Sequence, residues 1–185
     1  MDIAVEMMRL SLQIAGVTLF GADLSQDADV IGRLYRSGFE FVSRRLNTPL
    51  LPTWVPTPSN RRFARDKREL DRVVLEMIAE RRRNPRESRD LMTLLLAAQD
   101  EETGAGLTDQ EIKDEVLTLL TAGHETVAAA LSWTWYLLGQ HRESQEAVHD
   151  EVWGLLRGRS PTIEDLPRLP LVKAAFEEAD RKSVV

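Results

Sequence analysis

The sequence predicts an all-α fold, and three observations lead to this prediction. Apolar residues recur every three or four positions along most of the chain, which is the period of an amphipathic helix. No convincing run of alternating β-branched residues, the usual sign of a half-buried strand, is present. The prolines cluster in the segments 49–58 and 161–170, with Pro85 alone between them, and none occurs from 86 to 160. Such long proline-free stretches are typical of helices.

Four helices are expected in the first hundred residues. They are predicted over Met1–Phe20, Asp27–Leu46, Asn60–Arg83 and Ser88–Ala98. The first is expected to bury an apolar stripe made of Ile3, Met7, Leu10, Ile14 and Leu19. The proline-rich segment Asn47–Ser59 is predicted to be a loop, because its four prolines are incompatible with a helix or a central strand.

The centre of the chain is predicted to be one long helix over Thr108–Gln140. Thr108 and Glu111 have the spacing of a capping box at its start. Apart from His124 and Glu125, the segment from 116 to 138 is mainly apolar, so its length also fits a membrane span. A charged residue at the bilayer centre costs about 2.5–3.5 kcal/mol, and no basic flank marks an orientation. A buried core helix is therefore favoured, with shorter helices after it near Arg142–Leu156 and from Pro170.

Composition excludes several classes of protein. The chain has 24 Lys and Arg against 30 Asp and Glu, a net charge of −6, which argues against nucleic acid as a partner. It has no cysteine, so disulfide scaffolds, zinc ribbons, cysteine nucleophiles and thiolate metal ligands from this chain are excluded. Asp2, Glu6 and Arg9 make the first twenty residues unlike a secretory signal peptide.

The segment Ala122–Thr126 is the strongest candidate for chemistry. Gly123 in mid-helix costs about 1 kcal/mol relative to alanine, so a packing or ligand reason is expected. Thr126 can bond a carbonyl one turn back and loosen or bend the helix, and burial of Glu125 in an apolar run would favour its protonated form. An acid and an alcohol at a helix irregularity suit proton delivery. The alternative, favoured on these residues alone, is a kinked core helix in which Glu125 pairs with a basic neighbour.

Three other patterns have the residue types of a metal site or an ion pair. His124-Glu125 begins like a zincin helix, but Ala128 stands where the second histidine is needed, and the Glu146–His149 pair has no second copy. No metal site is predicted, and both histidines are expected at the surface or as helix caps. Glu178 and Arg181 lie three apart on one helical face and can form an ion pair, which alone is weak evidence of function.

Taken together, these features resemble the cytochrome P450 family. Ala122-Gly123-His124-Glu125-Thr126 resembles the central-helix signature of that family, and Glu178-x-x-Arg181 resembles its Glu-x-x-Arg motif. The earlier helices resemble the family's helices E, F, G and H, and the proline-rich loop its F–G connection. The resemblance covers essentially residues 1–185, roughly from helix E to the start of helix K.

The resemblance implies a haem-thiolate monooxygenase that inserts an oxygen atom from O₂ into an organic substrate. It implies haem b, a redox partner of the reductase or ferredoxin type, and a cytoplasmic location, with no membrane segment in this chain. Glu125 and Thr126 match the catalytic pair that relays protons, and Ala122 and Gly123 match the stretch over the haem face. Glu178 and Arg181 match a pair that stabilises the haem-binding core.

The chain also departs from the family pattern. Without cysteine it lacks the axial ligand, and it is expected to be a partial domain without the N-terminal helices, the C-terminal sheet and the haem-ligand loop. The isolated chain is therefore expected to be inactive. The competing class is an acidic all-α ligand-binding regulator or interaction domain. A regulator would need a basic helix-turn-helix near its start, where acidic residues dominate instead.

Overall fold

The computed structural model describes residues 2–24, 27–47, 52–85 and 88–183, and within these ranges every regular element is a helix. The α-helices are α1 Ile3–Phe20, α2 Ala28–Asn47, α3 Pro58–Arg83, α4 Leu91–Ala97, α5 Asp109–Gln140, α6 Arg142–Leu156 and α7 Pro170–Ser183, and a 3₁₀ helix spans Ile163–Arg168. In the described residues β-pairing is limited to one antiparallel bridge between Gln99 and Gly106. The all-α prediction is confirmed.

The chain divides into two compact units. The larger unit is Arg9–Glu125, and the smaller unit combines Met1–Met8 with Thr126–Val185. The division falls inside α5, between Glu125 and Thr126.

The core of the larger unit is built by α1 to α4 and the first half of α5. It consists of Leu12, Ala15, Phe20, Leu24, Ala28, Ile31, Val73, Val74, Ile78, Met92, Ile112, Val116 and Leu120. Burial of these side chains is the main favourable contribution to folding of this unit.

The predicted apolar stripe of α1 is wrong in part. Leu10 and Ile14 are 42% and 51% exposed, whereas Leu12 and Ala15 are buried. The buried face of α1 includes small residues because the chain returns close to it: a Cβ on Gly16 would lie 2.7 Å from the Ala22 carbonyl oxygen. A close backbone approach thus outweighs the greater apolar area of the alternative face.

The start of α3 differs from the predicted position. The helix begins at Pro58, where a loop was expected to continue to Ser59, and Thr57 caps it by accepting a hydrogen bond from the Asn60 amide at 3.1 Å. Proline is favourable in the first turn of a helix, because its missing amide hydrogen would be unpaired there in any case. Residues 48–51 of the predicted loop lie outside the described residues.

Two side-chain contacts fix α2 against α3. The Ser37 hydroxyl donates to the buried Asp66 carboxylate at 2.7 Å. The rings of Phe41 and Phe63 stack with their centroids 4.1 Å apart. These two contacts hold the helices side by side within the larger unit, and Arg65 of α3 also bonds the Asp66 carboxylate, at 3.0 Å.

The predicted capping box of α5 is confirmed. The Glu111 carboxylate accepts from the Thr108 amide at 2.8 Å, and the Thr108 hydroxyl accepts from the Glu111 amide at 3.3 Å. The helix α5 is α-helical without a break from Asp109 to Gln140.

In the smaller unit, α6 and α7 pack together through a polar cap. The Glu151 carboxylate of α6 accepts from the Leu171 amide at 3.0 Å and the Val172 amide at 3.1 Å. These amides belong to the first turn of α7, where a negative charge is stabilised by unpaired donors and the helix dipole.

The described residues include one helix, α1, that is long and apolar enough to cross a membrane by length and composition. Core helices meet the same criterion, so this is weak evidence for a membrane segment.

Candidate functional site

The candidate motif of α5 is distributed around the helix. Because successive residues are about 100° apart, Ala122 and His124 point to different sides of the helix, and Ala122 is exposed. Thr126, the first residue of this segment in the smaller unit, is exposed as well. His124 is completely buried. Gly123 and Glu125 are partly buried between these two sides. One surface of the helix is thus lined by small residues next to a carboxylate.

Gly123 is not required by packing among its described neighbours. A Cβ at this position would meet the Leu19 Cδ1 atom at 3.6 Å, an ordinary van der Waals distance. The cost of a glycine in mid-helix is therefore unexplained by neighbouring side chains. The sequence predicts a different reason for this glycine, namely the close approach of another group to this stretch of α5.

Glu125 lies near a tyrosine of another helix. Tyr35 of α2 has a raised pKa because burial opposes its ionisation; a hydrogen bond with Thr121 lowers that pKa, and the Glu125 charge raises it further. The Tyr35 hydroxyl donates to the Leu117 carbonyl at 3.3 Å. The sequence analysis assigned no role to Tyr35 and missed this polar contact. No local pattern indicates a contact between residues so far apart in the chain.

His124 is a correction to the sequence analysis, which expected it at the surface or in a cap. It is fully buried in the larger unit, with the Tyr35 ring 5.1 Å from its own, centroid to centroid. Its Nδ1 lies 2.6 Å from the Leu120 carbonyl oxygen, and its Nε2 is buried without a hydrogen-bond partner. The expectation failed because histidine usually avoids full burial. His149, by contrast, is exposed as expected.

An apolar groove lies beside this cluster in the larger unit. Its volume is about 260 Å³, and Tyr35 and Thr121 contribute to its wall. The apolar residues that line it are Leu34, Phe39, Val42, Phe63 and Leu70. Such a groove can accept an apolar molecule or side chain.

Glu178 and Arg181 form the predicted ion pair on α7. The Arg181 Nε and Nη2 atoms donate to the two Glu178 carboxylate oxygens at 2.9 and 2.7 Å. Arg181 holds the pKa of the Glu178 carboxyl at about 2; partial desolvation opposes this shift, and Lys182 adds to it. Both side chains are exposed, so the pair adds little to the stability of α7 itself.

An iron porphyrin with a thiolate ligand needs a surface that a flat group can approach and a cysteine sulfur. The small exposed Ala122 beside Gly123 suits contact with a flat group, but the chain has no cysteine to supply a thiolate. Within the described ranges, no three His, Asp or Glu side chains group together as metal ligands. These residues fit one face of a haem site and not its axial ligand.

Comparison with known proteins gives a consistent family. The family model for cytochrome P450 matches residues 1–185. A cyclooctat-9-en-7-ol 5-monooxygenase from Streptomyces melanosporofaciens is 39% identical over 183 residues, covering 98% of this chain and 40% of the relative. A cyclooctatin synthase from the same organism is 36% identical over 190 residues, with 97% and 40% coverage.

A solved structure matches the fold as well. The crystal structure of the cytochrome P450DA haem domain superposes with a TM-score of 0.76 at 30% identity, covering 97% of this chain and 39% of that chain. This chain thus spans about 40% of the length of the curated relatives it matches.

Proposed function

Because the chain belongs to the cytochrome P450 family, we propose that it is the central part of a haem-thiolate monooxygenase. The reaction inserts one oxygen atom from O₂ into an organic substrate, with electrons from a reductase or ferredoxin type of partner. The observation that carries the proposal is the signature on α5, where a carboxylate and a hydroxyl follow one another beside an exposed face of small residues. Bound haem b with a thiolate ligand supplies oxygen activation.

Each residue of the signature has a proposed role in that reaction. Ala122 and Gly123 let the flat cofactor approach α5, since neither has a side chain larger than a methyl group. Glu125 and Thr126 hold and move protons toward the oxygen site, with the acid donating through the alcohol. Glu178 and Arg181 act structurally, and their bidentate pairing supports this role because it fixes both planar groups.

The substrate is proposed to be a small organic molecule. The names of the two Streptomyces relatives, an oxygenase of cyclooctat-9-en-7-ol and a cyclooctatin synthase, agree with small organic substrates. A cytoplasmic location is proposed because this chain shares its family with bacterial oxygenases.

The test needs a complete catalytic domain. We define the complemented oxygenase as the Streptomyces melanosporofaciens cyclooctat-9-en-7-ol 5-monooxygenase in which this chain replaces the matched region. Glu125→Gln is expected to slow its turnover by on the order of 100-fold, and Thr126→Ala to divert electrons from product to peroxide or water. In both variants the thiolate-type spectrum of the carbon monoxide complex should persist.

Two matched controls lie on the same helix. Glu115→Gln removes an exposed carboxylate of α5, and Thr118→Ala removes a hydroxyl that bonds the Asp114 carbonyl at 2.8 Å. Both should leave turnover and coupling unchanged. If Glu125→Gln and Thr126→Ala behave like these controls, the relay role is wrong and the two residues serve only packing.

A further inference from the structure

The buried imidazole of His124 has one nitrogen satisfied and one unsatisfied. Its Nδ1 faces the Leu120 carbonyl oxygen at 2.6 Å, and because a carbonyl can only accept, Nδ1 carries a proton. Its Nε2 is fully buried and has no hydrogen-bond partner among the described residues. Buried polar groups are rarely left unpaired, so a donor for this nitrogen is expected.

The hydroxyl of the adjacent tyrosine makes a long hydrogen bond to a carbonyl and also contacts the Thr121 hydroxyl. The Tyr35 hydroxyl donates to the Leu117 carbonyl oxygen over a long distance of 3.3 Å. The same oxygen already accepts a much shorter bond from the Thr121 hydroxyl, at 2.6 Å. Leu117 therefore loses little if the phenol leaves, whereas His124 has no other donor. The Tyr35 and His124 rings lie 5.1 Å apart at an angle of 56°, which places a hydroxyl-bearing ring directly beside the imidazole.

We propose that His124 is a positioning residue whose Nε2 accepts a hydrogen bond from the Tyr35 hydroxyl, and that this bond holds α2 against the part of α5 that carries Glu125. The inference rests on the proposed function, since it assigns a role to the neighbour of the relay acid. Tyr35 belongs to α2 and His124 to α5, and both lie in the larger unit, as does Glu125. The influence of the Glu125 charge on the Tyr35 pKa agrees with their proximity.

The hydrogen bond can be tested on the chain itself. The chain has three histidines, so ¹⁵N-histidine labelling gives few signals, which His141→Gln and His149→Gln variants assign. Solution NMR, or magic-angle spinning of the sedimented chain, reports whether Nε2 of His124 is hydrogen-bonded. The expected result is a hydrogen-bonded Nε2 that becomes free in Tyr35→Phe and is unchanged in Tyr136→Phe, which removes an exposed phenol of α5. A free Nε2 in the wild type, or no response to Tyr35→Phe, overturns the proposal.

The positioning role is tested in the complemented oxygenase. Tyr35→Phe and His124→Phe keep ring size, and each should lower the share of electrons reaching product by the same factor, at least about twofold. The double variant should lose no more than either single one, because both remove one bond. Independent losses that multiply in the double variant contradict the proposal. Failure of the proposed function would be seen separately, as an unaffected Glu125→Gln enzyme, whereas the NMR result does not depend on haem.

Discussion

At the scale of single residues, Gly21 leaves no room for a larger side chain. It has a positive φ of 57°, and a Cβ there would lie 2.5 Å from the Asp90 Oδ2 and 2.7 Å from the Arg81 Nη2. Arg81 and Asp90 form a buried ion pair at 2.8 Å, and Arg81 also donates to the Phe20 carbonyl. We expect Gly21→Ala to lower the free energy of unfolding by about 3 kcal/mol, measured by urea denaturation, because it separates a buried pair.

Gly104 offers a matched control. It also has a positive φ, 68°, but a Cβ there would meet open space. Gly104→Ala should therefore cost only the backbone strain, about 1–2 kcal/mol. Equal losses in the two variants would show that the ion pair does not resist the added methyl group.

Asp90 should also determine part of the acid sensitivity of this unit. Its pKa is far below the usual range, mainly because Arg81 donates to it; burial opposes this shift, and Ser88 and Thr93 add to it. A lowered carboxyl pKa stabilises the fold above the unfolded-state pKa of about 3.9, and that contribution is lost as pH falls toward the folded-state pKa. We expect the free energy of unfolding to decline below about pH 4, with a shallower decline in Asp90→Asn.

The neutral-pH behaviour of the same variant adds a second measurement. Asp90→Asn leaves Arg81 buried without its charge partner, so it should cost about 3 kcal/mol at pH 7. Asp150→Asn, which removes an exposed carboxylate, is the control. It should change neither the free energy of unfolding at pH 7 nor its decline below about pH 4. If the free energy of unfolding of Asp90→Asn declines below about pH 4 as steeply as that of the wild type, the acid sensitivity comes from other groups.

Residues with local partners were predicted from the sequence, and residues with distant partners were not. The Thr108–Glu111 box and the Glu178–Arg181 pair join positions three apart, so helical geometry alone brings them together. The burial of His124 beside Tyr35 depends on the packing of α5 against α2, which no spacing in the sequence specifies.

At the scale of elements, a buried lysine links α5 to α3. Lys113 is 2% exposed, and its Nζ lies 3.3 Å from both the Asp71 and Asp114 carboxylates. Burial lowers the pKa of Lys113, but the bonds and charges of these two carboxylates outweigh it, so the net shift is upward. We expect Lys113→Ala to cost about 2 kcal/mol in the free energy of unfolding, because Asp71 keeps only Lys67, at 2.6 Å.

A double variant separates charge from packing at this position. Lys113→Met combined with Asp71→Leu removes both charges and keeps apolar volume between the helices, so its stability should return to within about 1 kcal/mol of the wild type. If the double variant is no more stable than Lys113→Ala, the lysine contributes by a means other than pairing with Asp71.

Helix positions followed from the sequence far better than helix faces. The long α5 and the capped α6 follow from composition and periodicity, and their predicted ends agree with the structure within one residue. The buried face of α1 did not follow, because periodicity identifies apolar positions without showing where a neighbouring segment crosses the helix. Lys113 was missed for a similar reason, since lysine is seldom buried unless a distant residue pairs with it.

At the scale of the whole molecule, the signature residues and the exposed apolar surfaces together indicate a dependence on further segments of the protein. Large apolar side chains of α5 and α6 remain exposed, among them Trp133, Trp135, Tyr136 and Trp153, at 45–60%. The chain spans about 40% of the length of its relatives, which contain further segments. We infer that the signature residues depend on those segments for a complete reaction site.

The final prediction concerns cofactor ligation by the chain alone. Mixed with hemin, reduced and exposed to carbon monoxide, the 185-residue chain should not give a thiolate-type spectrum, because it contains no cysteine. Its imidazole ligands are His124, which is buried, and the exposed His141 and His149, so any complex should have imidazole-type bands. The complemented oxygenase, which adds the relative's remaining segments, should restore the thiolate spectrum. A thiolate spectrum from the chain alone would refute this account of the ligand, and its absence from the complemented oxygenase would show that the two proteins do not assemble one haem site.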